Sequence, residues 1–208
     1  MKIGIIGAGY VGRTIAAKAV ETGHTVMISN SRGPQTLFSM QGAIGCEIGT
    51  VDEVAAFGDA VVIAIPLSAI DTLPAERLVG KIVIDAVNYY FERDGHIDAL
   101  DKGETTTSEL LAARLPGARV VKAFNAIRMI DVEPASRPEG APDRLALPLA
   151  GDDEAAKAEV AALYNAFGFD PLDAGTLSES WRFERDRPAY CNLKPREELA
   201  RTLAETVR

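Results

Sequence analysis

The sequence opens on IGIIGAGYVG (residues 3–12), in which an apolar run leads directly into a G-x-G-x-x-G pattern at Gly7, Gly9 and Gly12. A helical pattern follows, and then a second apolar run covers residues 25–28. Strand, tight turn, helix and strand in this order indicate the βαβ unit that binds dinucleotides. In that unit Gly7 permits the tight turn, Gly9 lets the backbone approach a pyrophosphate, and Gly12 lets the helix pack closely on the strand.

The residues after the second apolar run indicate which dinucleotide binds. An NAD site usually places Asp or Glu there to bond the ribose 2′-OH, but no acidic residue occurs between Glu21 and Glu47. Asn30, Ser31 and Arg32 take this position instead. A guanidinium and a hydroxyl suit a 2′-phosphate, whereas a carboxylate would repel one. We therefore predict NADP(H); the alternative is that Arg32 is an ordinary solvated loop arginine.

Composition and charge narrow the class of protein and its partners. The 208 residues suit one large domain or one domain with an appendage. The net charge of −8 argues against nucleic acid and anionic membranes as partners. No apolar run approaches the roughly 20 residues that span a bilayer, and the N-terminus lacks a signal-peptide layout. Cys46 and Cys191 have no metal-binding spacing, so we expect no metal site and interpret them as reduced thiols of a cytoplasmic protein.

Strand and helix patterns alternate along the rest of the chain, which predicts an α/β fold with a Rossmann-type, doubly wound, mostly parallel sheet. Further strands are expected at residues 43–48, 61–65, 81–85, 119–124, 145–150 and 172–174. Capping boxes at Thr50 and Thr106 predict two helix starts. The helix that begins at Gly33-Pro34 should end at Gly42, and the proline-bearing stretch 128–143 should be a loop.

The two ends of the chain have different predicted roles. Residues 1–176 should form the NADP-binding domain, and residues 177–208 a C-terminal helical tail. Leu199, Leu203 and Val207 recur at every fourth position, so the last helix carries an apolar stripe. This stripe should pack either on its own domain or on a second subunit. We favour a homodimer, because a terminal amphipathic helix readily makes a symmetric contact.

Ligands of doubly wound sheets bind outside the carboxyl ends of the strands. The predicted cofactor-binding residues lie there: Gly7, Ala8, Gly9, Tyr10, Val11, Gly12, Asn30, Ser31, Arg32, Ile65, Pro66, Ala86, Asn88, Ala123 and Asn125. The alternative for Pro66 and Asn88 is that they only shape loops, and for Asn125 that it is a turn asparagine. His96 is expected to be a solvated loop histidine; the alternative is that it reaches the cleft. No Ser/His/Asp or Cys/His set is visible, so no catalytic side chain is predicted.

Seven segments together carry a family resemblance. They are Gly7-Ala8-Gly9, Asn30-Ser31-Arg32, Ala64-Ile65-Pro66, Lys81 to Ala86, Lys122-Ala123-Phe124-Asn125, Ala150 to Glu154 and Pro171 to Gly175. They resemble the NADP oxidoreductase family that depends on coenzyme F-420, an 8-hydroxy-5-deazaflavin. The resemblance implies hydride exchange between NADP(H) and the deazaflavin, stacked against each other in the cleft. It also implies that the backbone of Ala8 to Val11 holds the pyrophosphate and that Ser31 and Arg32 hold the 2′-phosphate.

The chain departs from this family in two places, which leaves the second substrate open. Gly33-Pro34-Gln35 stands where family members carry a lysine, and the polar, aromatic stretch Trp181 to Tyr190 replaces an apolar helix. The acceptor is expected to be a deazaflavin or a flavin. One alternative is an NADPH-dependent reductase of a small carbonyl or imine, which would need a proton donor. Another is a non-catalytic NADP(H)-binding sensor.

Overall fold

The computed structural model describes residues 1–208, and its centre is a sheet of eight strands. The strands are β1 (Lys2–Ile6), β2 (Thr25–Ser29), β3 (Glu47–Ile48), β4 (Ala60–Ile63), β5 (Ile82–Asp85), β6 (Arg119–Lys122), β7 (Ala146–Gly151) and β8 (Asp170–Asp173). Their order across the sheet is β3-β2-β1-β4-β5-β6-β7-β8. All neighbours pair in parallel except β6 and β7, which are antiparallel. The predicted doubly wound, mostly parallel sheet is confirmed, and its strand order reverses between β1 and β4.

Successive residues of the central strands point to two different cores, because side chains alternate across a sheet. In β1, Ile3 and Ile5 join one core, while Ile6 joins the other. In β4, Val62 packs with the first core and Val61 with the second. Both faces of the sheet are therefore buried, which explains why these strands are apolar throughout.

The helices cover these two faces. They are α1 (Tyr10–Glu21), α2 (Phe38–Met40), α3 (Val51–Phe57), α4 (Ala75–Leu78), α5 (Phe91–Asp94), α6 (Asp98–Asp101), α7 (Thr107–Arg114), α8 (Met129–Ala135), α9 (Glu154–Ala166) and α10 (Arg196–Glu205). Turns of 3-10 helix lie at Pro34–Leu37, Leu67–Thr72 and Leu177–Phe183, and a π-helical turn covers Gln41–Gly45. The capping boxes predicted at Thr50 and Thr106 are both present, with Glu53 and Glu109 as the reciprocal partners. No helix combines the length and apolar character that a membrane crossing requires.

Three local predictions were wrong. Gly42 does not end the helical segment after Pro34, since the π-helical turn carries it to Gly45. The same turn shortens the strand expected at residues 43–48 to Glu47–Ile48. Residues 128–143 are not all loop, because α8 forms there with Pro134 inside its last turn. Burial of Met129 and Val132 outweighs the hydrogen bond that this proline removes.

The C-terminal tail (residues 177–208) packs on the domain that precedes it. Leu199 and Leu203 are buried in a cluster with Leu172 of β8 and Phe183 of the tail. Val207 lies beyond the end of α10 and is 80% exposed. Leu199 and Leu203 are thus covered within the chain, and the apolar stripe of the last helix no longer supports a dimer contact.

Candidate functional site

Five neighbouring parallel strands end at one level, which places the segments that follow them side by side. Ser29 of β2 pairs with Ile6 of β1, and Ile6 pairs with Ile63 of β4. Ile63 in turn pairs with Asp85 of β5, and Asp85 with Lys122 of β6. This row marks the carboxyl edge of the sheet, where doubly wound proteins bind their ligands.

The glycine turn at the end of β1 has the geometry that its sequence predicts. Gly7 has φ 113°, and a Cβ there would overlap the carbonyl oxygen of Ala64. A Cβ on Gly12 would overlap the carbonyl oxygen of Gly7, so α1 packs directly on the turn. Gly9 differs, because a Cβ there would meet no atom within 4 Å. Gly7 and Gly12 are required by packing, whereas the space beside Gly9 is free for a ligand.

The start of α1 offers positive charge to that space. Gly9 is the N-cap, with no side-chain cap, and the first turn contains no acidic residue. The first N–H groups of a helix have no partner within the helix, and the helix dipole adds partial positive charge at this end. These are the features that bind phosphate at the first turn of a dinucleotide-binding unit.

A cavity of about 330 Å³ joins this turn to the loop after β2 and to the end of β4. Its lining includes Ile6, Gly7, Ala8, Gly9, Asn30, Ser31, Arg32, Ala64, Ile65 and Pro66, together with Val51, Ala69 and Thr72. The predicted cofactor-binding residues from β1, β2 and β4 therefore converge on one cavity. Tyr10, Val11 and Gly12 continue from this lining into α1, where Tyr10 is 59% exposed.

The loop after β2 presents an unpaired guanidinium to the cavity. The side-chain oxygen of Asn30 accepts a hydrogen bond of 2.9 Å from the backbone N–H of Arg32, and Gln35 donates to the Arg32 carbonyl. Asn30 also donates to the hydroxyl of Thr36. These bonds fix the backbone of the loop but leave the Arg32 side chain exposed and without a carboxylate partner. Such a group fits the 2′-phosphate of NADP(H).

The remaining predicted residues form a second, separate group at the ends of β5 and β6. Asn88 donates from Nδ2 to the carbonyl oxygen of Asn125 at 3.2 Å. Asn125 donates from Nδ2 to the carbonyl oxygen of Phe183 at 3.0 Å, while its buried Oδ1 has no partner. Ala86 and Ala123 lie in the hydrophobic core, 6% and 0% exposed. None of these four residues lines the cavity described above.

A strained turn orients Asn125. Phe124 has φ 61°, which is uncommon for a residue with a side chain. The hydroxyl of Tyr164 accepts a hydrogen bond of 2.7 Å from the Phe124 N–H, and the two rings meet edge to face at 4.6 Å. Burial raises the pKa of the Tyr164 hydroxyl. Strain of this kind concentrates at ligand-binding sites.

Sequence reasoning missed a buried ion pair beside this group. Asp85 and Lys122, at the ends of β5 and β6, are both fully buried and lie 3.2 Å apart. The signal was visible in the sequence, since a charged residue directly follows an apolar run at the end of each strand. The chain could not reveal the partner, because 37 positions separate them.

Neither histidine lines the cavity. The His96 ring is 71% exposed, bonds Asp101 at 2.8 Å and stacks on Phe91, which confirms the solvated loop histidine. His24 lies 3.2 Å from the N-terminal amine. Burial, with a smaller effect from that amine, lowers the pKa of His24.

The fold and the cleft define a Rossmann-type dinucleotide-binding protein. The model of the family described as "NADP oxidoreductase coenzyme F420-dependent" matches residues 2–89. This N-terminal part of the chain is thus similar to that family of NADP-dependent oxidoreductases, which confirms the resemblance. The match contains the glycine turn, the Arg32 loop and Ile65-Pro66.

Two solved structures resemble nearly the whole chain. A hypothetical protein, SMa0349, from Sinorhizobium meliloti is 29% identical with a TM-score of 0.80, and the match covers 94% of this chain and 95% of that one. A candidate F420-dependent NADP reductase from Arthrobacter sp. FB24 is also 29% identical, with a TM-score of 0.72. That match covers 86% of this chain and 87% of the other.

Curated relatives match over part of their length. Rat metalloreductase STEAP3 is 30% identical over 187 residues, which is 88% of this chain and 36% of STEAP3. Protein YjhV of Escherichia coli is 46% identical over 54 residues, which is 26% of this chain and 39% of YjhV. The chain thus spans little more than a third of each of these relatives.

Proposed function

We propose that this protein exchanges a hydride between NADP(H) and a deazaflavin or flavin-type acceptor, at the carboxyl ends of the central strands. The observation that carries the proposal is the cavity that joins the Gly7–Gly12 turn to Ser31 and Arg32. The match of residues 2–89 to the NADP oxidoreductase family supports it. So does the likeness to the Arthrobacter protein, a candidate F420-dependent NADP reductase.

In this proposal the protein binds and orients, and NADPH supplies the hydride. The backbone N–H groups from Ala8 to Val11 hold the pyrophosphate beside the open space at Gly9. Ser31 and Arg32 hold the 2′-phosphate. Ile65 and Pro66 form the wall that continues from the glycine turn toward the ends of β5 and β6. There, the hydrogen-bonded residues Asn88 and Asn125 lie beside the position that we assign to the acceptor, with Asn125 buried and Ala86 and Ala123 in the core.

The chemistry of the cavity and of the residues assigned to the acceptor half favours transfer between two cofactors. No carboxylate, imidazole, thiol, amine or phenol lines the cavity, where Arg32 is the one charged side chain. Ala86, Asn88, Ala123 and Asn125 carry no acid or base either. Reduction of a carbonyl or imine requires a positioned proton donor, whereas transfer to a flavin-type ring requires mainly orientation and close approach.

An acceptor screen tests the proposal. The protein is mixed with NADPH and either oxidised 8-hydroxy-5-deazaflavin, FMN, a cyclic imine or a small ketone, and NADPH absorbance is followed. We expect steady oxidation with the deazaflavin or FMN. Oxidation by the imine or ketone alone would establish the carbonyl or imine reductase instead. Tight NADPH binding without turnover of any acceptor would favour the sensor.

The homodimer predicted from the sequence remains a proposal. Because Leu199 and Leu203 of α10 are buried within the chain, a dimer would have to form through another surface. Light scattering at micromolar concentration measures the mass directly. A monomeric mass would refute the dimer without affecting the proposed reaction.

A further inference from the structure

The C-terminal tail reaches the carboxyl edge of the sheet through two consecutive residues, Phe183 and Glu184. The Phe183 carbonyl accepts the hydrogen bond from Asn125. The Glu184 carboxylate accepts from both the backbone N–H and the hydroxyl of Thr107, at 2.8 and 2.6 Å. These contacts join segments that lie 58 and 77 positions apart in the chain.

Thr107 connects Glu184 to the buried ion pair. The Lys122 ammonium donates to the Thr107 hydroxyl at 2.9 Å, and an ammonium has no acceptor capacity. The single hydrogen of that hydroxyl is therefore directed to Glu184. The carboxylate also lies at the N-terminus of α7, where the helix dipole stabilises negative charge.

The ion pair in turn holds the turn that follows β5. Lys122 donates to the carbonyl oxygen of Val87 as well as to Asp85 at 3.2 Å. Asp85 accepts from the backbone N–H of Val87 at 2.8 Å and from the Ser108 hydroxyl at 2.7 Å. Both backbone groups of Val87 are thus bonded to the pair. The next residue is Asn88, which bonds Asn125.

We propose that Glu184 is a positioning residue for the acceptor half of the cleft. Through Thr107 and Lys122 it fixes the Val87–Asn88 turn, and the adjacent Phe183 carbonyl fixes Asn125. The tail then forms part of the site, at the point where this chain departs from the family it resembles. The inference rests on the proposed function for its consequence in hydride transfer.

Lys122 donates to three acceptors, which are Asp85, the Val87 carbonyl and the Thr107 hydroxyl. Without Glu184, the Thr107 hydroxyl is no longer held in a fixed orientation. Thr107 would keep a buried hydroxyl and N–H with no acceptor, and buried donors are costly to leave unpaired. The segment would then open more often, and the two asparagines would no longer be held against the tail. Nucleotide binding at Arg32 should be spared, since that loop belongs to the other side of the cleft.

Hydrogen exchange tests this in the full chain without turnover. Glu184→Ala should raise the amide exchange rate in residues 86–90 and 123–127 by about tenfold, as expected for a lost hydrogen bond of ordinary strength. Glu184→Gln keeps an acceptor oxygen and should give an intermediate rate. Glu179→Ala is the control, because it removes a tail carboxylate whose partner, Arg182, lies within the tail.

Native exchange rates in both segments of Glu184→Ala would overturn the proposal, and so would an equal rise in Glu179→Ala. If Glu184→Ala does not fold, native exchange rates in Glu184→Gln would overturn it as well. A second measurement is single-turnover oxidation of bound NADPH by oxidised 8-hydroxy-5-deazaflavin. We expect Glu184→Ala to slow this step about tenfold while its NADPH affinity stays within about twofold of native. Should the native protein transfer hydride to no acceptor, the proposed function fails, and exchange still decides the role of Glu184.

Discussion

Gly9 and Gly12 make different predictions, because their surroundings differ. Gly12→Ala should destabilise the protein by about 2 kcal/mol, since its methyl group overlaps the backbone of Gly7. Gly9→Ala should cost less than about 1 kcal/mol, the difference expected at an N-cap, because its φ of −74° suits alanine and the methyl meets open space. Urea unfolding measures both free energies.

Nucleotide titration separates the two substitutions further. The Gly9 methyl would occupy the space that we assign to the pyrophosphate, so NADPH affinity should fall more than about tenfold in a protein that is still folded. Native affinity in Gly9→Ala would show that the phosphates bind elsewhere.

Arg32 should determine the choice between NADPH and NADH. We expect the native protein to bind NADPH more tightly, and Arg32→Ala to remove about 1.5–3 kcal/mol of that preference, the value of a charge-assisted hydrogen bond. Arg201→Ala is the matched control, because Arg201 is an exposed arginine of α10. Equal affinities of the native protein for the two nucleotides would refute the assignment.

The sequence predicts the role of a residue best when the groups that determine this role lie close to it in the chain. The tasks of Gly7 and Gly12 follow from spacing within a single turn, and Arg32 from its place after one strand. The contacts of Asn125 with Phe183 and of Asp85 with Lys122 join distant segments. Only the tertiary structure could provide them.

Among the elements, the tail is joined to α5 by a bidentate ion pair. Arg185 donates from its two terminal nitrogens to the Glu92 carboxylate, at 2.6 and 2.9 Å. These hydrogen bonds lower the pKa of Glu92 from its ordinary value of 4.5 to about 2. A carboxyl group whose pKa is lower in the folded state than in the unfolded state stabilises the fold when ionised.

The lowered pKa of Glu92 determines the pH range in which this residue stabilises the fold. The stabilisation from Glu92 is complete above about pH 4.5 and is lost as the pH falls through about 2. Glu92→Gln should therefore lower the melting temperature near neutral pH, and the difference from native should shrink below pH 4.5. A difference that stays constant from pH 6 to pH 2 would contradict the assigned pKa.

The helices show where pattern and packing disagree. The capping boxes at Thr50 and Thr106 were predictable because all their atoms lie within four consecutive residues. Helix α8 was not, because Pro134 signals a break. Its cause is tertiary: Met129 and Val132 are buried, and Lys18 of α1 pairs with Glu133 at 2.8 Å.

For the whole molecule, the alternation of apolar strands and helices was enough to predict the sheet and the edge at which the candidate cavity lies. The sequence pattern could not predict where the tail packs, because the stretch from Trp181 to Tyr190 has no regular periodicity. Its position depends on single polar contacts, such as that of Glu184 with Thr107, and on the burial of Phe183. The part of the site least predictable from sequence is therefore the part that this tail forms.

The arrangement of the whole cleft makes a final prediction about mechanism. Transfer between a nicotinamide and a flavin-type ring needs the two reacting atoms held about 3–3.5 Å apart, and it needs no protein acid or base. The cavity is lined by glycines, apolar residues, three uncharged polar residues and Arg32, and both histidines lie outside it. The single-turnover oxidation of bound NADPH should therefore show no protein ionisation between about pH 6 and 8, the range in which a histidine titrates.

The measurement uses oxidised 8-hydroxy-5-deazaflavin across that range, with ionisation of the acceptor itself determined separately. His96→Ala is the informative variant, since His96 is exposed and bonded only to Asp101 in its loop. It should react at the native rate at every pH. A single-proton dependence that His96→Ala abolishes would mean that this loop closes on the substrate and supplies a proton. Hydride transfer would then be coupled to acid catalysis, as the reduction of a carbonyl or imine requires.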